Sequence, residues 1–290
     1  MQRSLFVRSI NFLKIALSLL FALVVCRTAI ADINMTFGVY ASDKPTQMIQ
    51  SFRPLLNDLE VLLAKRLGER VLIKIHISKT YEDGIDELVN GKVDFARFGP
   101  ASYVSAKQKN DHIRLIAIES HKGKKEFNGV ICVKSGSPIK SVKDLAGKTF
   151  AFGDKTSTIG RYLSQKYLAD NGITAKNLKS YDYLDRHDKV ATAVAAGDFD
   201  AGAIKEGTYK KLKEKGLPLE VIATFTNVTK PWISRAELPE PLYLALQQAL
   251  LELKPKEDLD ELSKDGFLPA ADIDFAAVKD AMLSSEKFFK

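Results

Sequence analysis

The strongest constraint in this sequence is an alternation of short strand-like runs with segments of helical spacing, sustained through two successive series. The first series opens with Asn34–Val39 (NMTFGV), a strand. Met48–Leu67 follows with apolar residues at helical intervals and stops at Gly68, a helix-ending signal. Val71–Ile77 (VLIKIHI) alternates like a strand, Tyr81–Val89 is a short helix stopped by Asn90-Gly91, and Val93–Phe98 is a strand again. Helix Ala101–Lys109 and strand Ile113–Ile118 complete the series. The second series runs through strands Gly129–Val133, Thr149–Phe152, Leu178–Tyr181, Asp200–Ile204 and Val221–Thr226. Helices Val142–Leu145, Ile159–Asn171, Lys189–Ala196 and Thr208–Lys215 lie between them. This order predicts an α/β fold of two lobes, each a mostly parallel sheet flanked by helices. Two strand-like crossovers, near Glu119–Phe127 and Thr224–Pro231, join the lobes. The tail from Pro239 to Lys290 is helical, with apolar spacing at Leu242, Leu244, Leu246, Leu250 and Leu251, and is expected to pack back on the first lobe.

The first residues stand apart from this pattern. Arg3, Arg8 and Lys14 precede an apolar run from Ile15 to Cys26, and Ala29-Ile30-Ala31 follows. A basic start, a short apolar stretch and an A-x-A site describe an export signal cleaved after Ala31. The run is shorter than the roughly 20 residues a bilayer span requires. A lipid anchor at Cys26 is disfavoured because bulky Val25 precedes it. The expected organisation is therefore 1–31 leader, 32–120 first lobe, 121–226 second lobe and 227–290 returning to the first.

The leader also accounts for the charge. The whole chain carries 43 Lys and Arg against 36 Asp and Glu, a net +7 that would suggest a nucleic-acid or membrane-surface partner. Arg3, Arg8, Lys14 and Arg27 all fall in the leader, which contains no acid, so the remainder carries 39 bases against 36 acids, or +3. That balance makes no case for nucleic acid. The four histidines, His76, His112, His121 and His187, form neither HExxH nor His-x-His, and two cysteines cannot build a disulfide scaffold or a multi-cysteine zinc module. No cofactor or metal is expected. Cys132, inside the apolar run Val130–Val133, reads as an inert core thiol.

Open parallel sheets place ligands at the carboxyl ends of their strands, so four strand-to-helix loops are the candidate sites. The first carries Tyr40, which either lines a cleft or is an ordinary half-buried tyrosine. The second is Arg97-Phe98-Gly99-Pro100-Ala101-Ser102-Tyr103, where Gly99 permits close backbone approach and Pro100 suits a first helical turn. Free amides at that helix start either bind an anion or simply begin a helix. The third is Asp154-Lys155-Thr156-Ser157-Thr158-Ile159-Gly160, with three consecutive hydroxyls at a helix start. One hydroxyl suffices for capping; three suit a tetrahedral oxyanion. It is not a nucleotide-binding P-loop, because the terminal Gly-Lys-Ser/Thr is missing. The fourth holds Lys205 and Glu206, either at a cleft rim or as a solvated pair. His187, in Asp185-Arg186-His187-Asp188, also starts a helix, where a surface histidine is the reading that local sequence favours.

Taken in order, several segments resemble the phosphate, phosphite and phosphonate-binding periplasmic components of ABC transporters. They are Phe37-Gly38-Val39, Val93–Ala96 running into Gly99-Pro100, Ser135–Pro138, Asp144–Lys148, Gly153-Asp154 with Ser157–Gly160, His187-Asp188, and Ala193–Gly197 leading to Asp200–Gly202. The resemblance covers residues 32–270 and implies the type II periplasmic-binding-protein fold and a monomeric solute-binding protein with no enzymatic activity. In that family a Ser-Thr-Ser-Gly turn grips the phosphono group, which places Ser157 and Thr158 on the oxyanion. The family's second serine is Ile159 here, leaving its amide, with Thr156 as the compensating hydroxyl. The family's histidine matches His187, a family tyrosine is Phe98, and its acidic residue falls near Gly207, with only Glu206 beside it. Tyr40, Gly99 and Tyr103 from the first lobe, and Lys205 and Glu206 at the rim, complete the expected ligand contacts. The implied partner is a membrane permease of an ABC importer; the alternative is a membrane sensor such as a histidine kinase. As an enzyme the chain lacks a base near Ser157 in sequence, and His187 supplies one only by folding.

Overall fold

A computed structural model describes residues 32–42, 44–253 and 265–290. The expected leader and Cys26 lie outside the described residues. Among the described residues no helix is long and apolar enough to cross a membrane.

The first sheet is built from β1 (Ile33–Tyr40), β2 (Val71–Ser78), β3 (Phe95–Arg97), β4 (Arg114–Glu119), β10 (Pro231–Ser234) and β11 (Phe267–Leu268), in the order β11-β4-β10-β3-β1-β2. The second contains β5 (Glu126–Lys134), β6 (Thr149–Phe152), β7 (Ser180–Tyr183), β8 (Ala201–Lys205) and β9 (Leu219–Val228), in the order β7-β6-β8-β5-β9. β1 pairs in parallel with β2 and β3, and β6 with β7 and β8. The sheets are nevertheless mixed. β10 runs antiparallel to β3 and β4, β11 antiparallel to β4, and β5 antiparallel to β8 and β9.

The reversals of β5 and β10 follow from the crossovers. β4 and β9 run toward the junction of the two sheets. A chain that crosses there enters the other sheet at the same end and must run away from it, against its neighbours. β4 continues through Ser120–Lys125 into β5, and β9 through Thr229 and Lys230 into β10. In the first crossover Lys122 and Gly123 both have positive φ, 54° and 75°. His121 and Lys124 close the turn with two backbone hydrogen bonds of 2.8 and 3.0 Å. Two central residues of positive φ make the tight reverse turn that suits twisted strands.

Each sheet is covered on both faces. Helix α1 (Pro45–Leu67) buries Phe52, Leu55, Leu56, Leu59 and Leu63, three and four residues apart, so one stripe faces the sheet. This stripe, the aromatic stack of Phe37, Phe95 and Trp232, and Leu246 and Leu250 of helix α7 (Glu240–Glu252) form one core. Helices α2 (Tyr81–Val89), α3 (Pro100–Lys109) and α8 (Ala276–Ser284) contribute Ile85, Leu88, Ala101, Val104 and Val278 to the core that includes Tyr40 and Phe98. The second sheet packs Phe150, Phe152, Ile159 and Phe225 in one core and Cys132, Val190, Val194 and Ile204 in another. The π-helical turn Thr158–Leu163 and helix α4 (Ser164–Asp170) border the former, while α5 (His187–Ala196) and α6 (Glu206–Glu214) border the latter. Burial pushes the Cys132 thiol up to about 12, consistent with an inert core cysteine.

The tail does not pack wholly on the first sheet as its sequence suggested. α7 and α8 do, but the last turn, Ser285–Phe289, reaches the second, where Phe288 is fully buried beside Phe152. The Ala175 amide donates to the Phe288 carbonyl at 2.7 Å. Two consecutive phenylalanines at the chain end are the apolar surface that makes this contact worthwhile.

Candidate functional site

The carboxyl ends of β1 and β3 meet the π-helical turn that follows β6 at the junction of the two sheets. Tyr40, the last residue of β1, is 4% exposed and sits between the rings of Tyr81 and Phe98, with centroids 3.7 and 5.2 Å away. Its hydroxyl oxygen accepts the Gly99 N–H at 2.5 Å and lies 3.0 Å from Ser102 Oγ. Burial pushes the phenol up to about 12, so Tyr40 acts as a neutral hydrogen-bonding group.

Gly99 precedes the first turn of α3, where Pro100 supplies a residue without an amide proton and Ala101 the next N–H. That N–H donates to Thr158 Oγ1 at 2.9 Å. A hydroxyl bordering the second sheet thus caps a helix of the first. A Cβ at Gly99 would lie 3.0 Å from the Tyr40 hydroxyl, 3.3 Å from Thr158 Oγ1 and 3.8 Å from Lys230 Nζ. With φ at −74°, the need for glycine here comes from close packing rather than from backbone conformation. Two hydroxyls, a helix start and an ammonium from the crossover therefore converge on one point.

The hydroxyl loop is held by its own contacts. Ser157 Oγ accepts the Gly160 N–H at 3.0 Å, and the Gly153 amide donates to the Gly160 carbonyl at 2.8 Å. A Cβ on Gly160 would come within 2.8 Å of Gly153 Cα, so the two glycines let the loop fold onto the end of β6. Thr156 turns to Asp154, donating its amide and hydroxyl to Oδ1 at 2.7 and 2.5 Å. Burial raises the pKa of Asp154, with the neighbouring Asp185 and Glu82 carboxylates adding to the rise. Ile159 points away from the hydroxyls into the second core, against Phe225 over Gly129.

The remaining expected residues divide. His187, the first residue of α5, is 2% exposed, behind Asp185 in a left-handed conformation (φ 64°) and the Arg186–Asp188 ion pair at 3.0 Å. Lys205 and Glu206, at the junction of β8 and α6, line a cavity of about 680 Å³ between the two sheets. Glu206 accepts from Asn128 at 3.3 Å and pairs with Lys210 at 2.8 Å. Tyr103 is turned away: it donates its hydroxyl to Asp272, packs on Phe275, and burial raises its pKa. The structure thus gathers Tyr40, Phe98, Gly99 and Thr158, with Ser157 behind Thr158. Tyr103, Thr156 and Ile159 make their contacts elsewhere.

Sequence reasoning missed Arg97 and Glu119, which line the same cavity. They form a two-pronged pair, with Nε–Oε1 at 2.7 Å and Nη2–Oε2 at 2.9 Å, and Trp232 Nε1 donates to Oε1 at 3.1 Å. Lys230 was missed as well. Its ammonium lies by Gly99 and 5.6 Å from the centre of the Phe127 ring, linking the buried cluster to the cavity. A charged residue ending each apolar strand, Phe95–Arg97 and Ile116–Glu119, was the available signal. Among the described residues no group of three or more His, Cys, Asp or Glu side chains is placed to hold a metal ion.

Comparison with known proteins adds an independent line. Residues 37–275 match the profile of the family described as the periplasmic phosphonate substrate-binding protein of ABC transporters. One curated relative is the probable phosphite-binding protein PhnD1 of an ABC transporter in Prochlorococcus marinus (strain MIT 9301). It is 29% identical over 159 residues, covering 50% of this chain and 53% of the relative. The phosphate-import protein PhnD of Mycolicibacterium smegmatis is 26% identical over 194 residues, covering 63% of this chain and 59% of that one. The chain therefore spans a little over half the length of these relatives. Among solved structures, Prochlorococcus PhnD1 in complex with methylphosphonate superposes with a TM-score of 0.74 at 23% identity, over 88% of this chain and 98% of that one. A phosphonate-transporter binding protein of Pseudomonas aeruginosa gives 0.76 at 20% identity, over 88% and 87%. At these identities the superpositions establish the fold.

Proposed function

The chain belongs to the family of periplasmic substrate-binding proteins of phosphonate ABC transporters, and from that premise we propose that it captures a small phosphonate- or phosphate-like oxyanion at the junction of its two sheets. Members of the family bind solutes and perform no catalysis. In this reading the two units are 32–120 with 227–290, and 121–226. They close about the Ser120–Lys125 and Thr229–Lys230 crossovers, and the ligand is handed to a membrane permease by a monomeric protein exported through residues 1–31.

The observation that carries this reading is the convergence at Gly99. The Gly99 and Ala101 amides, the Tyr40 and Thr158 hydroxyls and the Lys230 ammonium meet there from both sides of the junction. The positive end of a helix favours negative charge, here relayed through the hydroxyls that take the Gly99 and Ala101 amides, and an ammonium beside it supplies a full positive charge. Hydrogen bonds to a charged group contribute about 1.5–3 kcal/mol each, roughly twice the neutral value. An oxyanion contacting groups from both units binds the closed arrangement better than the open one, and that difference is what drives closure. The neutral Tyr40 phenol suits the role, because a tyrosinate would repel the ligand.

The test is a thermal-shift and calorimetric survey of the refolded, ligand-free protein against phosphate, phosphite, methylphosphonate and sulfate. A ligand present at 100 times its Kd raises stability by about 2.7 kcal/mol. Stabilisation by at least one phosphorus oxyanion is the expected result. Stabilisation by none of them overturns the ligand reading and leaves the fold untouched.

A further inference from the structure

Asn227, near the end of β9, is 2% exposed, and among the described residues neither its Nδ2 nor its Oδ1 has a hydrogen-bond partner. Two residues on, Thr229 is 3% exposed and its Oγ1 is likewise unpartnered. Buried side-chain amides are nearly always satisfied, because an unmet donor or acceptor forfeits its hydration with nothing in return. A strand position at this depth accepts valine or leucine at no such cost. Two unmet polar groups side by side point to a ligand that meets them.

Their placement says which ligand. β9 packs against the π-helical turn that carries Thr158. Phe225, two residues before Asn227, lies with Ile159 over Gly129, where a Cβ would be 3.0 Å from Ile159 Cγ2. Lys230, three residues after, brings its ammonium to within 3.8 Å of where a Cβ on Gly99 would lie. Asn227 pairs across the ladder with Phe127, which together with Thr229 lines the cavity between the sheets. The unmet amide therefore stands on the strand that packs against the turn carrying Thr158, three residues before the lysine that reaches Gly99.

We propose that Asn227, supported by Thr229, reads the protonation state of the bound oxyanion, an inference that rests on the oxyanion reading above. A carboxamide offers one donor group and one acceptor a fixed distance apart. Its complement is a ligand presenting an oxygen acceptor beside an O–H donor, as a singly protonated phosphonate, phosphite or phosphate does. A sulfonate has three oxygens and no proton, so it satisfies Nδ2 and leaves Oδ1 unmet. Asn227 thus selects phosphorus monoanions against sulfonates of the same shape.

The experiment measures the affinity of the wild-type chain and Asn227→Leu for methylphosphonate and for methanesulfonate by calorimetry, across pH. The wild-type protein is expected to favour methylphosphonate, with affinity falling as pH rises through the second ionisation of the phosphonate. Asn227→Leu is expected to lose at least tenfold in methylphosphonate affinity and less in methanesulfonate affinity. The pH dependence flattens, while the melting temperature without ligand stays level or rises. Unchanged methylphosphonate affinity in Asn227→Leu, or equal losses for both ligands, overturns the inference and leaves the oxyanion reading standing. Failure of the wild-type protein to bind any phosphorus oxyanion overturns both. Should Asn227→Leu not fold, a crystal structure of the wild-type protein with methylphosphonate decides. An Asn227 amide within hydrogen-bond distance of a phosphonate oxygen supports the inference, and an amide met only by ordered water overturns it.

Discussion

Thr158 accepts a hydrogen bond from the amide of Ala101 at 2.9 Å, although 57 residues separate them and they border different sheets. Both groups are buried, so the bond is not exchanged for water without opening the junction. Thr158→Val keeps the shape and removes the acceptor, leaving a helix-start amide unmet. The expected result is a loss of about 10- to 100-fold in phosphorus-oxyanion affinity, the equivalent of about 1.4–2.8 kcal/mol. Thr158→Ser keeps the hydroxyl and is expected to stay within about threefold of wild type. Calorimetric titration with methylphosphonate checks both, and equal affinities for the valine and serine variants contradict the assignment.

Gly99 is fixed by its neighbours rather than by its φ. An alanine there meets the Tyr40 hydroxyl at 3.0 Å and Thr158 Oγ1 at 3.3 Å, each tighter than ordinary contact with carbon. Both neighbours are held by other hydrogen bonds, so neither yields freely. Gly99→Ala is expected to open the junction, costing about 1–3 kcal/mol as overpacked sites do. Small-angle scattering is expected to show a larger radius of gyration for the variant in saturating methylphosphonate than for wild type under the same conditions.

The Arg97–Glu119 pair gives the sharpest stability prediction. Both side chains are nearly buried, at 11% and 8% exposure. Glu119 takes a third bond, from Trp232. Glu119→Ala strands a guanidinium among aromatic rings, including Phe52 at 5.4 Å. Removing one partner of a buried pair costs about 3–5 kcal/mol. Glu119→Gln keeps an acceptor oxygen and is expected to lose markedly less. Urea denaturation of the two variants measures the difference, and equal midpoints would show that an acceptor oxygen at position 119 contributes nothing once the charge is gone.

Tyr40 makes stability sensitive to alkaline pH. Its phenol ionises near pH 10 in an unfolded chain and at about 12 in the folded one, because burial disfavours the phenolate. The unfolded state therefore sheds this proton first. The contribution is fully present below pH 10, shrinks as pH rises from 10 to 12, and is gone above. A shift of that size corresponds to roughly 2–3 kcal/mol. Tyr40→Phe is expected to be less stable than wild type at pH 8, having lost the bond from Gly99, and to close the gap by pH 11. Parallel melting curves across that range falsify this account.

Much of this architecture could be read from residues alone, and the omissions have physical causes. The helix over Pro45–Leu67 and the parallel strands β1, β2 and β6 follow directly from their apolar periods. β10 did not, because it begins with a proline and spans only Pro231–Ser234, and its membership of the first sheet depends on a crossover from the second. Phe267–Leu268 is too short to show a period at all. In the cluster at the junction, Tyr40, Gly99 and Thr158 were legible because strand ends and helix starts mark such positions. The contacts of Arg97 with Glu119 and of Lys230 with Gly99, and the burial of Asn227, were not, since they arise only when separate segments meet. Tyr103 illustrates the reverse: it lies in the right loop, but one helical turn on from Gly99 its side chain points to Asp272 rather than to the junction.

The tail supplies the last prediction. Residues 276–284 lie on the first unit and Phe288 in the core of the second, so the chain end ties the two together as a third connection. Phe288 meets Phe152 and Tyr181 edge-on at 5.4 and 5.6 Å, and its carbonyl takes the Ala175 amide. Truncating a buried phenylalanine to alanine costs about 3–5 kcal/mol. Because the contact restrains the motion proposed at the crossovers, its loss is also expected to change binding. Phe288→Leu, which retains much of the buried area, is expected to keep both properties close to wild type. Phe288→Ala is expected to melt lower and to release methylphosphonate faster. Stopped-flow release rates beside melting temperatures separate the two effects: a lower melting temperature with an unchanged release rate would confine the tail to a structural role.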